Sequence, residues 1–137
     1  MEAPPLVEPD QELLDGYVIR LPFPMARRVE DGSLLFWHTP KRLTFWIDAR
    51  RRDLAIDPLP GWIDRQSDAA YDIGIERSGS AIRYGSRLNE DDADDPQPAF
   101  HGFFAEGRTE FLLAAYFDRA EAFDDALSAW RSLRAAG

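Results

Sequence analysis

Leu34-Leu35-Phe36-Trp37-His38-Thr39-Pro40-Lys41-Arg42-Leu43-Thr44-Phe45-Trp46-Ile47-Asp48 is the stretch whose reading decides the fold. Two apolar runs of strand length flank a short polar break in which Pro40 supplies a fixed φ, the composition of a β-hairpin. A turn centred on Thr39 and Pro40 sets Phe36 opposite Leu43 and Leu34 opposite Phe45, so these four share one apolar face with Ile47. The other face presents Leu35, Trp37, Arg42, Thr44, Trp46 and Arg50, and Trp with Arg is the composition of binding hot spots. The fold question then becomes which of the two faces is hidden.

Upstream, Tyr17, Ile19, Leu21 and Phe23 alternate with Val18 and Arg20 as a strand stopped by Pro22 and Pro24. Residues 1–15 hold three prolines, five acids and no base. They predict an extended, partly ordered acidic arm ahead of a single α+β domain over residues 16–137. Downstream, Pro58, Pro60 and Gly61 leave residues 53–70 a loop and at most a short helix. Tyr71, Ile73 and Ile75 alternate with Asp72, Gly74 and Glu76, and the alternation resumes after Ser78-Gly79 with Ile82, Tyr84 and Leu88. This predicts a second hairpin with Ile75 against Ile82 and Ile73 against Tyr84. Residues 100–104 and 111–117 flank Glu106-Gly107-Arg108 as a third hairpin, and its second strand, apolar on both faces, is central.

The chain closes on a helix with Asp118 as N-cap, Glu121 three residues on, and Arg131 and Arg134 near the negative end of the dipole. Phe123, Ala126, Leu127, Trp130 and Leu133 form its apolar stripe. The expected fold is therefore α+β: an antiparallel sheet of six to seven strands built from hairpins, with this amphipathic helix packed on one face. The tryptophans of the first hairpin are candidates for what the helix covers.

The 137 residues are 45% hydrophobic, with nine Phe and four Trp, enough for one core. No run approaches the roughly 18 apolar residues of a membrane span. Cysteine is absent and the N-terminus lacks the basic and apolar segments of a secretory signal, so the expected location is cytoplasmic. Sixteen basic against 25 acidic residues give a net charge of −9, which opposes binding to nucleic acid or an anionic membrane and favours a basic protein partner. The charge is uneven: residues 16–52 carry eight bases and three acids, +5 within an acidic chain. The densest acid run, residues 90–95, precedes Pro96 and Pro98 and reads as a solvated loop. Its Asp91, Asp92, Asp94 and Asp95 are candidates for docking on a basic groove. As an EF-hand loop it fails, lacking alternating ligands, the central Gly and the distal Glu.

The catalytic inventory is thin: two histidines, one lysine and no cysteine. There is no phosphate-binding glycine loop, dinucleotide fingerprint or nucleophile elbow. His38 ends a strand beside a turn and His101 sits in an apolar strand, so each reads as a structural histidine; a metal site using both with Asp48 or Glu106 requires the fold to bring them together. Asp124 and Asp125 on an exposed helix face read as solubility chemistry. An RNA platform of the tryptophans with Arg50-Arg51-Arg52 lacks an RNP motif and is opposed by the net charge. These residues assign no catalytic group, metal ligand or cofactor.

The order Gly16-Tyr17-Val18-Ile19-Arg20-Leu21-Pro22, a strand pair ending in Thr44-Phe45-Trp46-Ile47, two long hairpins and a closing helix over residues 123–133 resembles the PsbP-like superfamily. That superfamily includes small bacterial chaperones that bind effectors of the type VI secretion system. The resemblance spans residues 16–134, rests on layout, and implies binding rather than catalysis. In general character the chain is also similar to the small acidic immunity proteins that neutralise bacterial toxins. Three expectations follow in order. The first is an immunity or inhibitor protein that binds a cognate toxin with a basic surface, anchored by Asp91, Asp92, Asp94 and Asp95 together with Trp37, Trp46, Arg42 and Arg50. The second is a secretion chaperone that shelters an apolar segment of its client. The third is a small enzyme using His38 or His101.

Overall fold

A strand that is apolar on both faces needs a neighbour on each edge and a cover on each side, and the run at 111–117 finds both edges in the middle of a sheet. The computed structural model describes residues 5–64, 70–88, 99–119 and 121–136. In chain order these form strands β1 (Leu6–Val7), β2 (Asp10–Glu12), β3 (Tyr17–Arg20), β4 (Met25–Glu30), β5 (Ser33–His38) and β6 (Leu43–Arg51), then helix α1 (Leu59–Asp64). Strands β7 (Ala70–Ser78), β8 (Ala81–Leu88), β9 (Ala99–Glu106) and β10 (Thr109–Phe117) follow, then helix α2 (Glu121–Arg131) and strand β11 (Arg134–Ala135). Eight strands pair in the order β1-β4-β5-β6-β10-β9-β8-β7, and β11-β3-β2 make a second, small sheet. All the pairings are antiparallel.

The strand count exceeds the six to seven expected, for identifiable reasons. β4 reads Met25-Ala26-Arg27-Arg28-Val29-Glu30, where consecutive arginines break the apolar alternation. β1, β2 and β11 are two or three residues long, too short for any periodicity, and exist through their cross-strand partners. Part of the expected N-terminal arm is thus built into both sheets: Leu6 and Val7 pair with Ala26 and Met25, and Asp10 to Glu12 with β3.

Both expected hairpin registers are off by two residues. The first turn takes four residues and closes with the Arg42 N–H donating to the Thr39 carbonyl at 3.1 Å. Arg42 takes the left-handed conformation, φ 51°. Phe36 therefore pairs with Phe45, Leu34 with Ile47 and His38 with Leu43. Because side chains alternate with period two, a two-residue slip leaves each residue on its expected face. The second turn sits at Gly79-Ser80, pairing Ile75 with Tyr84 and Arg77 with Ile82.

The inner face of the large sheet carries the main core. Phe36, Phe45, Ile47, Phe100, Phe104, Phe111 and Leu113 share this core with Ala122, Ala126, Ala129, Trp130 and Leu133, with Tyr17 and Ile19 of β3 and the following Leu21 beside them. Gly85 and Gly102 pair across β8 and β9 and leave a floor for the Trp130 indole. A Cβ on Gly102 would overlap that indole and come within 2.8 Å of Phe100. The indole N–H, buried with its ring, donates to the Phe103 carbonyl at 3.0 Å. Arg83 closes the helix end, its guanidinium donating to the Leu133 carbonyl and lying 4.9 Å over Phe104; burial lowers its pKa. Asp118, expected as the helix cap, lies three residues before the helix and pairs instead with Arg42.

The outer face has its own, smaller core. Trp62 of α1 stacks on Phe103 at 5.0 Å, with Leu59, Ile82, Tyr84 and Ala105 around it. Phe103 alternates with Gly102 and Phe104 along β9, so α1 and α2 occupy opposite faces. Among the described residues no helix is long and apolar enough to cross a membrane.

Candidate functional site

The Leu34–Phe36–Leu43–Phe45–Ile47 face of the first hairpin joins the main core together with β3 and α2, which puts Trp37 and Trp46 on the outer face, beyond the part that α1 covers. The sheet registers resolve that outer face into two cross-strand rows. One runs Leu6, Ala26, Trp37, Thr44, Tyr116, and the next runs Arg28, Leu35, Trp46, Ala114, His101. Trp37 and Trp46 are diagonal neighbours across β5 and β6, and both are half-buried.

A cleft of about 390 Å³ opens between them, lined by Arg28, Leu35, Trp37, Thr44 and Trp46. A second, of about 300 Å³, is lined by Arg42, Thr44, Tyr116, Phe117 and Asp118, so the two share Thr44 and form one trough. The Arg28 guanidinium lies 5.6 Å from the Trp37 ring centroid, on the electron-rich face that attracts a cation. Arg28 also pairs with Glu30 at 2.6 Å, and Arg42 with Asp118 at 2.8 Å, a contact that raises the pKa of Arg42. All four of these charged side chains are exposed, so solvent screens both pairs and neither holds its partner strongly.

Of the residues expected to act together, Trp37 and Trp46 line one cleft and Arg42 the adjoining one. Arg50 does not join them. It pairs with the largely buried Glu110 and lines a separate cleft of about 260 Å³ with Arg51, Arg52, Asp53, Ile56 and Pro58. Asp91, Asp92, Asp94 and Asp95 lie outside the described residues. Arg28 and Tyr116 belong to the trough without having been singled out. Arg28 was hidden by the missed strand, although Tyr116 shares the parity of Leu112 and Ala114 along β10.

The two histidines fall on opposite faces. His38 pairs with Leu43 on the inner side, its ring 4.5 Å from Phe23 and its Nδ1 accepting from the Lys41 N–H at 3.2 Å. His101 lies on the outer side next to Ala114, and burial lowers its pKa. A metal site built from both is therefore ruled out by the pleat. Among the described residues no cluster of three or more His, Asp or Glu is placed to hold a metal ion. No family model, curated protein or solved structure matches this chain, so the reading of the trough rests on its residues.

Proposed function

We propose that this chain is a non-catalytic protein-binding module, an immunity or inhibitor protein that neutralises a bacterial toxin by direct contact. Trp37 and Trp46 anchor that contact. The observation that carries the reading is the open half of the outer face, where two tryptophans stand half-exposed on paired strands beside Arg28 and Arg42. An aromatic side chain held by a strand has little freedom left to lose on docking, and its desolvation contributes to binding at the centre of an interface. The acidic run at residues 90–95 adds a steering charge for a basic region of the same partner.

The test is affinity capture from the native lysate at low and moderate salt, comparing the wild type with a Trp37→Ala/Trp46→Ala variant. A hot-spot tryptophan contributes ~2 kcal/mol, roughly thirty-fold in affinity. A stoichiometric partner held by the wild type, lost by the variant, and losing its own toxic activity when bound supports the proposal. Equal retention by both proteins removes this face from the interface.

A secretion chaperone of the PsbP-like type is the second reading, favoured by the apolar continuity of Leu35, Trp37, Trp46 and Tyr116 along the trough. A partner retained at high salt through an apolar segment selects it over the inhibitor.

A further inference from the structure

The trough carries information about the segment it receives, and this inference rests on its being a protein-binding face. We infer that the docking segment is a short peptide stretch with one or two large apolar side chains flanked by carboxylates. The trough is built mainly on β4, β5 and β6, all inside the stretch 16–52, which carries +5 while the chain as a whole carries −9. Its lining contains two guanidiniums, Arg28 and Arg42, against one carboxylate, Asp118. Arg27, one residue from Arg28, pairs with Phe36 on the inner face and takes no part.

The cations are placed so that a ligand can use them. Arg28 lines the larger cleft and Arg42 the smaller one, with the shared Thr44 common to both. Their present partners, Glu30 and Asp118, are exposed, so the pairs are weak and exchangeable. An incoming carboxylate meets each guanidinium beside an apolar wall that excludes water once the ligand is seated, which strengthens the new pair relative to the old. The apolar part of the ligand is fixed by Leu35, Trp37 and Trp46, which surround a cleft of about 390 Å³, room for one or two large side chains. The sign is opposite to the basic partner that the acidic run at 90–95 invites. A partner meeting both features has a basic surface and a separate acidic, apolar docking segment.

The experiment is selection from a random-peptide display library on the immobilised full chain, run in parallel on Trp37→Ala/Trp46→Ala and on Arg28→Glu/Arg42→Glu, with circular dichroism confirming that each variant is folded. The expected result is enrichment by the wild type of peptides carrying Trp, Phe or Leu between Asp or Glu residues. A representative synthetic peptide should bind the Arg28→Glu/Arg42→Glu protein at least ten-fold more weakly, and the charge-reversed protein should select Lys and Arg flanks instead. If the wild type enriches apolar peptides with neutral or basic flanks, the inference fails while the protein-binding reading stands. If the wild type enriches nothing beyond what the tryptophan variant enriches, the inference and the choice of this face fail together.

Discussion

Two pairs of tryptophans on one sheet have opposite fates. Trp62 and Trp130 are fully buried, whereas Trp37 and Trp46 are half-buried. The buried pair belongs to the two helices and comes down onto flat ground: the Gly85–Gly102 floor for Trp130 and the Phe103 ring for Trp62. The half-buried pair belongs to the sheet itself and waits for something to come down onto it. Side-chain type does not decide burial here; what decides it is whether another part of the chain supplies a cover. The covered tryptophans should therefore carry stability and the uncovered ones recognition.

The largest effect expected from this comparison is at Trp130. Trp130→Ala removes the indole from between α2 and the sheet together with its hydrogen bond to the Phe103 carbonyl, and should destabilise the chain by ~3–5 kcal/mol in urea unfolding. A loss no greater than that of Trp37→Ala would break the comparison outright. Next is the floor beneath it. Gly102→Ala places a methyl against the Trp130 and Phe100 rings and should cost ~1–3 kcal/mol through overpacking. Gly85→Ala, whose nearest contacts are 2.9 and 3.2 Å, should cost less, and a reversed order would mean that α2 can lift from β9 without difficulty.

The parts of this arrangement that were legible are those with a local signature. The hairpin faces followed from period two, so Leu34, Phe36, Leu43, Phe45 and Ile47 were placed together although their register was off by two. The doubly apolar β10 announced its central position between β6 and β9, and the stripe from Phe123 to Leu133 announced a packed helix. What was not legible depends on distant partners or on unusual turn residues. A turn that places an arginine at positive φ carries no Gly or Asn signal, and β4 shows itself as a strand through its pairing with β5. Which face α2 would choose was equally hidden, because both faces of the first hairpin are rich in large apolar side chains. The trough follows from that choice, so of its lining only the residues on one face of the first hairpin, Leu35, Trp37, Arg42, Thr44 and Trp46, could be named together beforehand.

At the uncovered tryptophans the expected stability effect is small. Trp37→Ala and Trp46→Ala should each shift unfolding by no more than ~1 kcal/mol, since neither fills an enclosed core site. Acrylamide should quench the fluorescence of these two while leaving Trp62 and Trp130 shielded, so the variant lacking Trp37 and Trp46 should lose nearly all of the quenchable signal. A quenchable fraction that survives in that variant would mean that α1 or α2 opens readily in solution.

The finest probe of the boundary between covered and open halves is His101, which shares a row with Trp46 and Ala114 on the outer face. Burial pushes its pKa below the ordinary value of 6.5, because the imidazolium is poorly solvated there. The unfolded chain therefore binds the proton more readily than the folded one, and folding stability must decline as pH falls from about 6.5 through the lower folded-state value. His101→Gln keeps a polar group of similar size and removes the titration, so its unfolding free energy should vary less than that of the wild type between pH 7.5 and 5. Equal slopes in the wild type and His101→Gln would show His101 titrating as it does in water, and would move the edge of the open face one strand further, from β10 to β9.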